Sequence, residues 1–168
     1  MFSQHREKFY NLLSEKALSS QDIHDETCLQ ILTSDKVDIL PLTNAAFKVR
    51  KKYWGNLVTV HIIDNVQNGG CGEDCSYCAQ SKSSKAEIHK YPMKSEEQIM
   101  EEARIAYESG AFRHCLAFSG TGPSKKRVAQ LCEIVKKIKQ KYNMEVCVSP
   151  GNIDLEDAGK LKAAGLNR

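Results

Sequence analysis

Apolar and polar positions recur along this chain with two different periods, and the change falls just after Gly55. Before it the spacing is helical: Phe9, Leu12 and Leu13 fall on one helix face, and a second helical stretch runs from Ser20 to Ile31. A third, from about Asn44 to Lys52, ends at Tyr53-Trp54-Gly55, where glycine suits a helix stop. After it comes Leu57 to Ile63, LVTVHII, β-branched and almost wholly apolar, as expected of a strand buried on both faces. Ser95-Glu96-Glu97-Gln98 reads as a capping box opening a helix that closes at Gly110. Arg113 to Phe118 is the next strand. The helix after Pro123 puts Val128, Leu131, Ile134, Val135 and Ile138 on one stripe. Met144 to Ser149 reads as a third strand, and Asp154 caps a helix that stops at Gly165. A further strand begins at Leu166.

The order β-α-β-α-β-α implies parallel strands joined by helical crossovers, as in a (β/α) barrel or an open doubly wound sheet. A complete (β/α)8 barrel takes about 250 residues, and the sequence has 168. The expectation is an α/β fold of barrel type that is partial: the first three to four βα units of a TIM-type barrel, preceded by N-terminal helices. The helical segments occupy residues 1–41 and the half-barrel 42–168. A half-barrel that closes by dimerising is the alternative to a fragment.

Composition narrows the function classes. With 41% hydrophobic and 27% charged residues, a packed core is expected and wholesale disorder is not. A net charge of +3, with Lys and Arg spread along the helices, argues against nucleic acid. The N-terminus is charged and lacks the apolar segment of a secretory signal, and no apolar run approaches the roughly 18–20 residues of a membrane span. The expected location is the cytoplasm. There, thiols stay reduced, so the seven cysteines point to metal or catalysis rather than to disulfides.

Three of the seven lie within eight residues, in Cys71-Gly72-Glu73-Asp74-Cys75-Ser76-Tyr77-Cys78, a CxxxCxxC. Thiolates this close let one loop wrap one metal centre. Four-cysteine sites build zinc knots or fully ligated iron–sulfur clusters, but no fourth Cys or His lies in this loop. Three ligands on a four-iron cube would leave one iron open for chemistry. A structural zinc site borrowing His89 or Cys115 is the bland alternative, although the usual second CxxC or HxxxH is missing.

CxxxCxxC with an aromatic just before the last cysteine, here Tyr77, resembles the signature of the radical S-adenosylmethionine (SAM) enzymes. The resemblance implies a [4Fe-4S] cluster on Cys71, Cys75 and Cys78, with SAM chelating the open iron and Tyr77 on the adenine side. It also implies one-electron cleavage of SAM to a 5′-deoxyadenosyl radical. Within that superfamily, Gly69 to Ser81 (GGCGEDCSYCAQS) resembles the biotin synthase family. Phe112 to Pro123, Met144 to Gly151 and Ala163 to Asn167 match in order. The likeness runs from about residue 42 to the end and is faint before it.

That family inserts sulfur into dethiobiotin, using a second cluster, [2Fe-2S], as the sulfur source. The resemblance places two of its ligands at Cys115 and Cys147. It further implies a flavodoxin- or ferredoxin-type electron donor and a homodimer. The two cysteines stand 32 residues apart, about one βα repeat, on strands expected to be neighbours. Parallel strands lie about 4.8 Å apart, so same-face side chains can reach one small cluster. Two ordinary buried cysteines are the alternative. Cys132 reads as core, and Cys28 has no assigned role.

Other groups have plainer readings. Ser119-Gly120-Thr121-Gly122 lacks the Gly-Lys-Ser/Thr ending of a P-loop and either borders SAM or is a simple turn. Glu73 and Asp74 are expected to shape the cysteine loop, and His61 and His114 to be satisfied packing histidines. Gln67, Asn68 and Gly72 depart from the family's usual residues. The competing functions are a related radical enzyme of hydrogenase-cofactor or pyrrolysine biosynthesis, and a non-catalytic iron–sulfur or zinc protein.

Overall fold

The computed structural model describes residues 2–168, with side chains described from residue 7. The elements in chain order are α1 (Phe2–Leu18), α2 (Asp25–Thr33), α3 (Ile39–Trp54), β1 (His61–Gln67), α4 (Glu96–Glu108), β2 (Arg113–Phe118), α5 (Lys125–Lys141), β3 (Glu145–Ser149) and α6 (Leu155–Ala163). They form two compact units, Met1–Val58 and Thr59–Arg168. The expected division between helical segments and half-barrel lies at 41/42. In the structure α3 packs with α1, so the first unit extends to the end of α3 and the short segment after it.

In the first unit Tyr10, Leu13 and Ala45 form the core, with Ile23, Ile31, Val37 and Leu42 against it. The expected α1 face of Phe9, Leu12 and Leu13 is rotated: Tyr10 is buried while Phe9 and Leu12 are exposed. The Tyr10 hydroxyl explains the preference, because it accepts the Asp38 backbone N–H at 3.0 Å and so carries a polar tip into a polar spot. The second helix begins later than expected, at Asp25, after Ser20 turns the chain with φ +56°.

The second unit is a three-stranded parallel sheet of order β1-β2-β3 with helices between the strands. Its core lies between the sheet and the helices, where Val66, Ile99, Leu116, Leu131, Ile138, Val146 and Leu161 are fully buried. The stripe expected on α5 is that helix's buried face. Ser95 and Gln98 form the expected capping box, and Asp154 accepts from the Asp157 backbone N–H to cap α6.

The first strand lies four residues later than LVTVHII suggests. Pairing starts where β2 offers a partner, with the Phe112 N–H on the Val60 carbonyl at 2.8 Å and His61 opposite Arg113. Leu57, Val58 and Val60 are apolar but exposed and outside the strand. The polar stretch Asp64-Asn65-Val66-Gln67 completes β1 instead. After Leu166, the Asn167 N–H bonds the Val146 carbonyl and the Val148 N–H bonds the Arg168 carbonyl, so a fourth strand starts to pair along β3. These are βα units of a partial TIM-type barrel.

Candidate metal centre

Side chains alternate along parallel strands, and the register sorts them onto two faces. Asp64, Val66, His114, Leu116, Val146 and Val148 point at the helices and are buried. The other face carries three rows: His61, Arg113 and Glu145; then Ile63, Cys115 and Cys147; then Asn65, Ala117 and Ser149. In a closed barrel this face is the interior.

Cys115 and Cys147 are direct register partners. Burial pushes the Cys115 thiol up, to about 11, and the hydrogen bond and charge of Cys147 push the same way, against a smaller opposing pull from Arg113. One row below, Arg113 makes an ion pair with Glu145 through Nε (2.8 Å) and Nη2, and its Nη1 lies 3.4 Å from His61 Nδ1. Arg113 is 9% exposed and Glu145 half-buried, so a largely buried guanidinium lies one row below the two thiols.

The cysteine loop starts directly after β1, at the C-terminal end of the sheet where barrel enzymes place their chemistry. Its base is fastened at several points. Gly69 donates its N–H to Gln80 Oε1 at 2.9 Å, and its carbonyl accepts the Ser119 hydroxyl at 2.7 Å. The Gly69 φ of +78° suits glycine. Asn68 and Tyr91 pair through their backbones, and the Tyr91 hydroxyl donates to the Asn65 carbonyl at 2.6 Å. Glu73 accepts from the Thr121 hydroxyl and Asp74 from that of Ser83, while the Lys82 N–H bonds the Glu73 carbonyl at 2.9 Å. The two carboxylates thus shape the loop, as their position suggested.

At its crest the loop is open. Cys75 is exposed, Cys71 and Cys78 are half-buried, and Tyr77 is 93% exposed. All three thiols are free of disulfides. Among the described residues no three His, Cys, Asp or Glu side chains come together as a metal-holding set. The donor set still fits a cluster with one open iron. Three thiols sit on one anchored loop, with one oxygen each of Glu73 and Asp74 engaged in the bonds just described. Thiolate ligands must lose protons on binding, so loading and ordering of such a loop are coupled.

The remaining sites are quickly placed. Ser119, Gly120 and Gly122 border a cavity of about 310 Å³ with Gln67, Phe118, Arg127 and Pro150. Cys132 is core, as expected, and Cys28 is exposed in the first unit. His114 is buried, but neither ring nitrogen has a hydrogen-bond partner, so it is not the satisfied histidine the sequence suggested. Burial holds its pKa down and the ring neutral. The roles of Asn65, Tyr91 and Thr121 as fasteners were invisible in sequence, because each depends on which loop folds back against which.

Comparison with known proteins follows the same lines. Residues 66–168 match the model of the Radical SAM superfamily. The biotin synthase of Magnetococcus marinus is 47% identical over 156 residues, covering 93% of this chain and 49% of that protein. That of Acaryochloris marina is 44% identical over 151 residues, 90% of this chain and 44% of that protein. The chain therefore spans about half the length of the curated relatives it matches, and the similarity reaches well into the N-terminal helices. Among solved structures, methylornithine synthase superposes with a TM-score of 0.76 at 25% identity, over 92% of this chain and 45% of that one. A maturase of the [FeFe]-hydrogenase shares the fold, with a TM-score of 0.67 at 24% identity over 96% of this chain and 36% of that one. With its three-cysteine loop at the mouth of a parallel βα sheet and more than half its length in the family match, the chain belongs to the radical SAM superfamily.

Proposed function

We propose that this chain carries the cluster-binding part of an enzyme that forms biotin from dethiobiotin by radical sulfur insertion. The observation that carries the reading is the register pairing of Cys115 with Cys147 on the interior face of β2 and β3, in the same sheet as β1, which leads into the three-cysteine loop. A radical enzyme of another kind needs the loop. It does not need two thiols facing each other across the sheet.

Cys71, Cys75 and Cys78 would hold a [4Fe-4S] cluster, with Tyr77 on the adenine side of SAM, and Cys115 and Cys147 would hold a [2Fe-2S] cluster. When bound, these groups supply one electron to the sulfonium of SAM and a sulfide to the substrate. The chain's own residues prepare that chemistry. The bonds of Gly69, Glu73 and Asp74 fix the base of the loop. The Arg113–Glu145 pair lies one row below Cys115 and Cys147 and keeps a cation near thiols that must deprotonate to bind metal. The reading includes a flavodoxin- or ferredoxin-type electron donor, a homodimer and a cytoplasmic setting. Among the described residues no helix is long and apolar enough to cross a membrane.

The test is the pair of variants Cys115→Ala and Cys147→Ala in the full-length protein, reconstituted anaerobically and followed by Mössbauer spectroscopy with a biotin assay. Each variant is expected to keep the [4Fe-4S] signal while losing the [2Fe-2S] signal and biotin formation. A double variant that assembles both clusters and makes biotin would show that these cysteines are core residues, and the related radical enzymes would then describe the chain better.

A further inference from the structure

Thr121 bonds in two directions at once. Its hydroxyl donates to Glu73 Oε1 at 2.5 Å, inside the cysteine loop that follows β1. Its carbonyl accepts the Asn152 N–H at 2.7 Å, in the turn that follows β3. Thr121 itself lies in the turn after β2, so a single residue joins the C-terminal loops of all three strands.

The joint is tight on its β3 side. A Cβ on Gly151 would lie 2.4 Å from the Thr121 carbonyl oxygen, and Gly151 has φ +90°. A Cβ on Gly122 would lie 2.4 Å from the Asn152 carbonyl oxygen. Both are backbone clashes that no side-chain movement relieves. The two turns are therefore held in one arrangement, and Thr121 presents its hydroxyl from that fixed platform. On the other side Glu73 sits midway between Cys71 and Cys75, and its carbonyl is also held, by the Lys82 N–H.

Thr121 and Glu73 are both exposed. A hydroxyl–carboxylate bond in contact with water adds little to global stability, but it restricts where the loop can be. We propose that Glu73 and Thr121 are a positioning pair that sets the cysteine loop relative to β2 and β3, the strands that carry Cys115 and Cys147. This rests on the radical-enzyme reading above and adds to it a determinant of the spacing between the two thiol sets. The pair acts through the loop backbone.

The experiment compares Thr121→Val, Thr121→Ser and Glu73→Gln with the parent in the full-length protein. Valine keeps the shape of threonine and removes the donor, serine restores the donor, and glutamine keeps an acceptor oxygen. Amide exchange of residues 69–83 is read in the metal-free protein, with residues 113–118 of β2 as the internal control for folding. After anaerobic loading with iron and sulfide, the KM for SAM and the ratio of 5′-deoxyadenosine to biotin are read.

Thr121→Val is expected to raise exchange in 69–83 by about fivefold, the scale of one lost hydrogen bond, with β2 unchanged. Its KM for SAM and its deoxyadenosine-to-biotin ratio should rise while iron content stays at the parent level. Thr121→Ser is expected to restore all three, and Glu73→Gln to lie between. Parent-like exchange and coupling in Thr121→Val would overturn the positioning role. So would a loss that Thr121→Ser fails to restore. If the parent itself takes up no iron, the radical-enzyme reading fails, and the exchange arm still decides whether the linkage exists.

Discussion

Asp64 stands on the helix-facing side of β1 with its side chain 1% exposed, and its charge is met by Lys94 Nζ at 2.6 Å. Lys94 also donates its backbone N–H to the Val66 carbonyl and reaches Glu102 at 3.3 Å, so one residue ties the end of β1 to α4. Removing one partner of a buried pair leaves an uncompensated charge, which costs about 3–5 kcal/mol in fully buried cases. Lys94 is 21% exposed, which allows some water to reach the carboxylate. Lys94→Met should therefore destabilise the protein by roughly 2–4 kcal/mol in urea denaturation, and Asp64→Asn by clearly less. Equal effects would mean that the charge is not what Lys94 answers. The pair also explains why residue-level reading of β1 failed. A polar Asp-Asn pair looks like loop until a lysine thirty positions later is seen to satisfy it. Cys115 and Cys147, by contrast, were legible, because strand positions and a repeat length suffice to put two residues side by side.

In the second unit, helix starts and stops were the most readable elements. Ser95, Ser124 and Asp154 each accept a backbone N–H at the first turn of α4, α5 and α6. Such caps are local chemistry, fixed by residues three apart, and owe nothing to the rest of the fold. Ser95→Ala should cost about 1 kcal/mol of stability, measured as a lower denaturation midpoint with unchanged slope. A change below a few tenths would show the capping box to be redundant. The limits of β1 were less readable than those of β2 and β3, since it begins where β2 supplies a partner and not where its apolar run begins. The glycines at 122 and 151 have the same non-local origin, each small because another turn passes within van der Waals contact. Gly151→Ala combines that clash with a φ of +90°, and should destabilise the protein by more than 1 kcal/mol and raise amide exchange in both turns.

At the scale of the whole molecule, two compact units divide the chain after residue 58, with the thiol chemistry confined to the second. The alternation of strands and helices made the βα architecture readable, and the CxxxCxxC spacing made the superfamily readable. How the three cysteines would arrange around a cluster was not, because the ligands of a metal-coupled site gather only as the metal binds. The claim that joins all these parts is that Cys71, Cys75 and Cys78 hold a cluster that cleaves SAM. Its most direct test is the yield of 5′-deoxyadenosine from SAM under reducing, anaerobic conditions, for the reconstituted full-length protein and for Cys71→Ala, Cys75→Ala and Cys78→Ala. The parent is expected to form it, and none of the three variants above background. Parent-level yield from even one of them would contradict that claim.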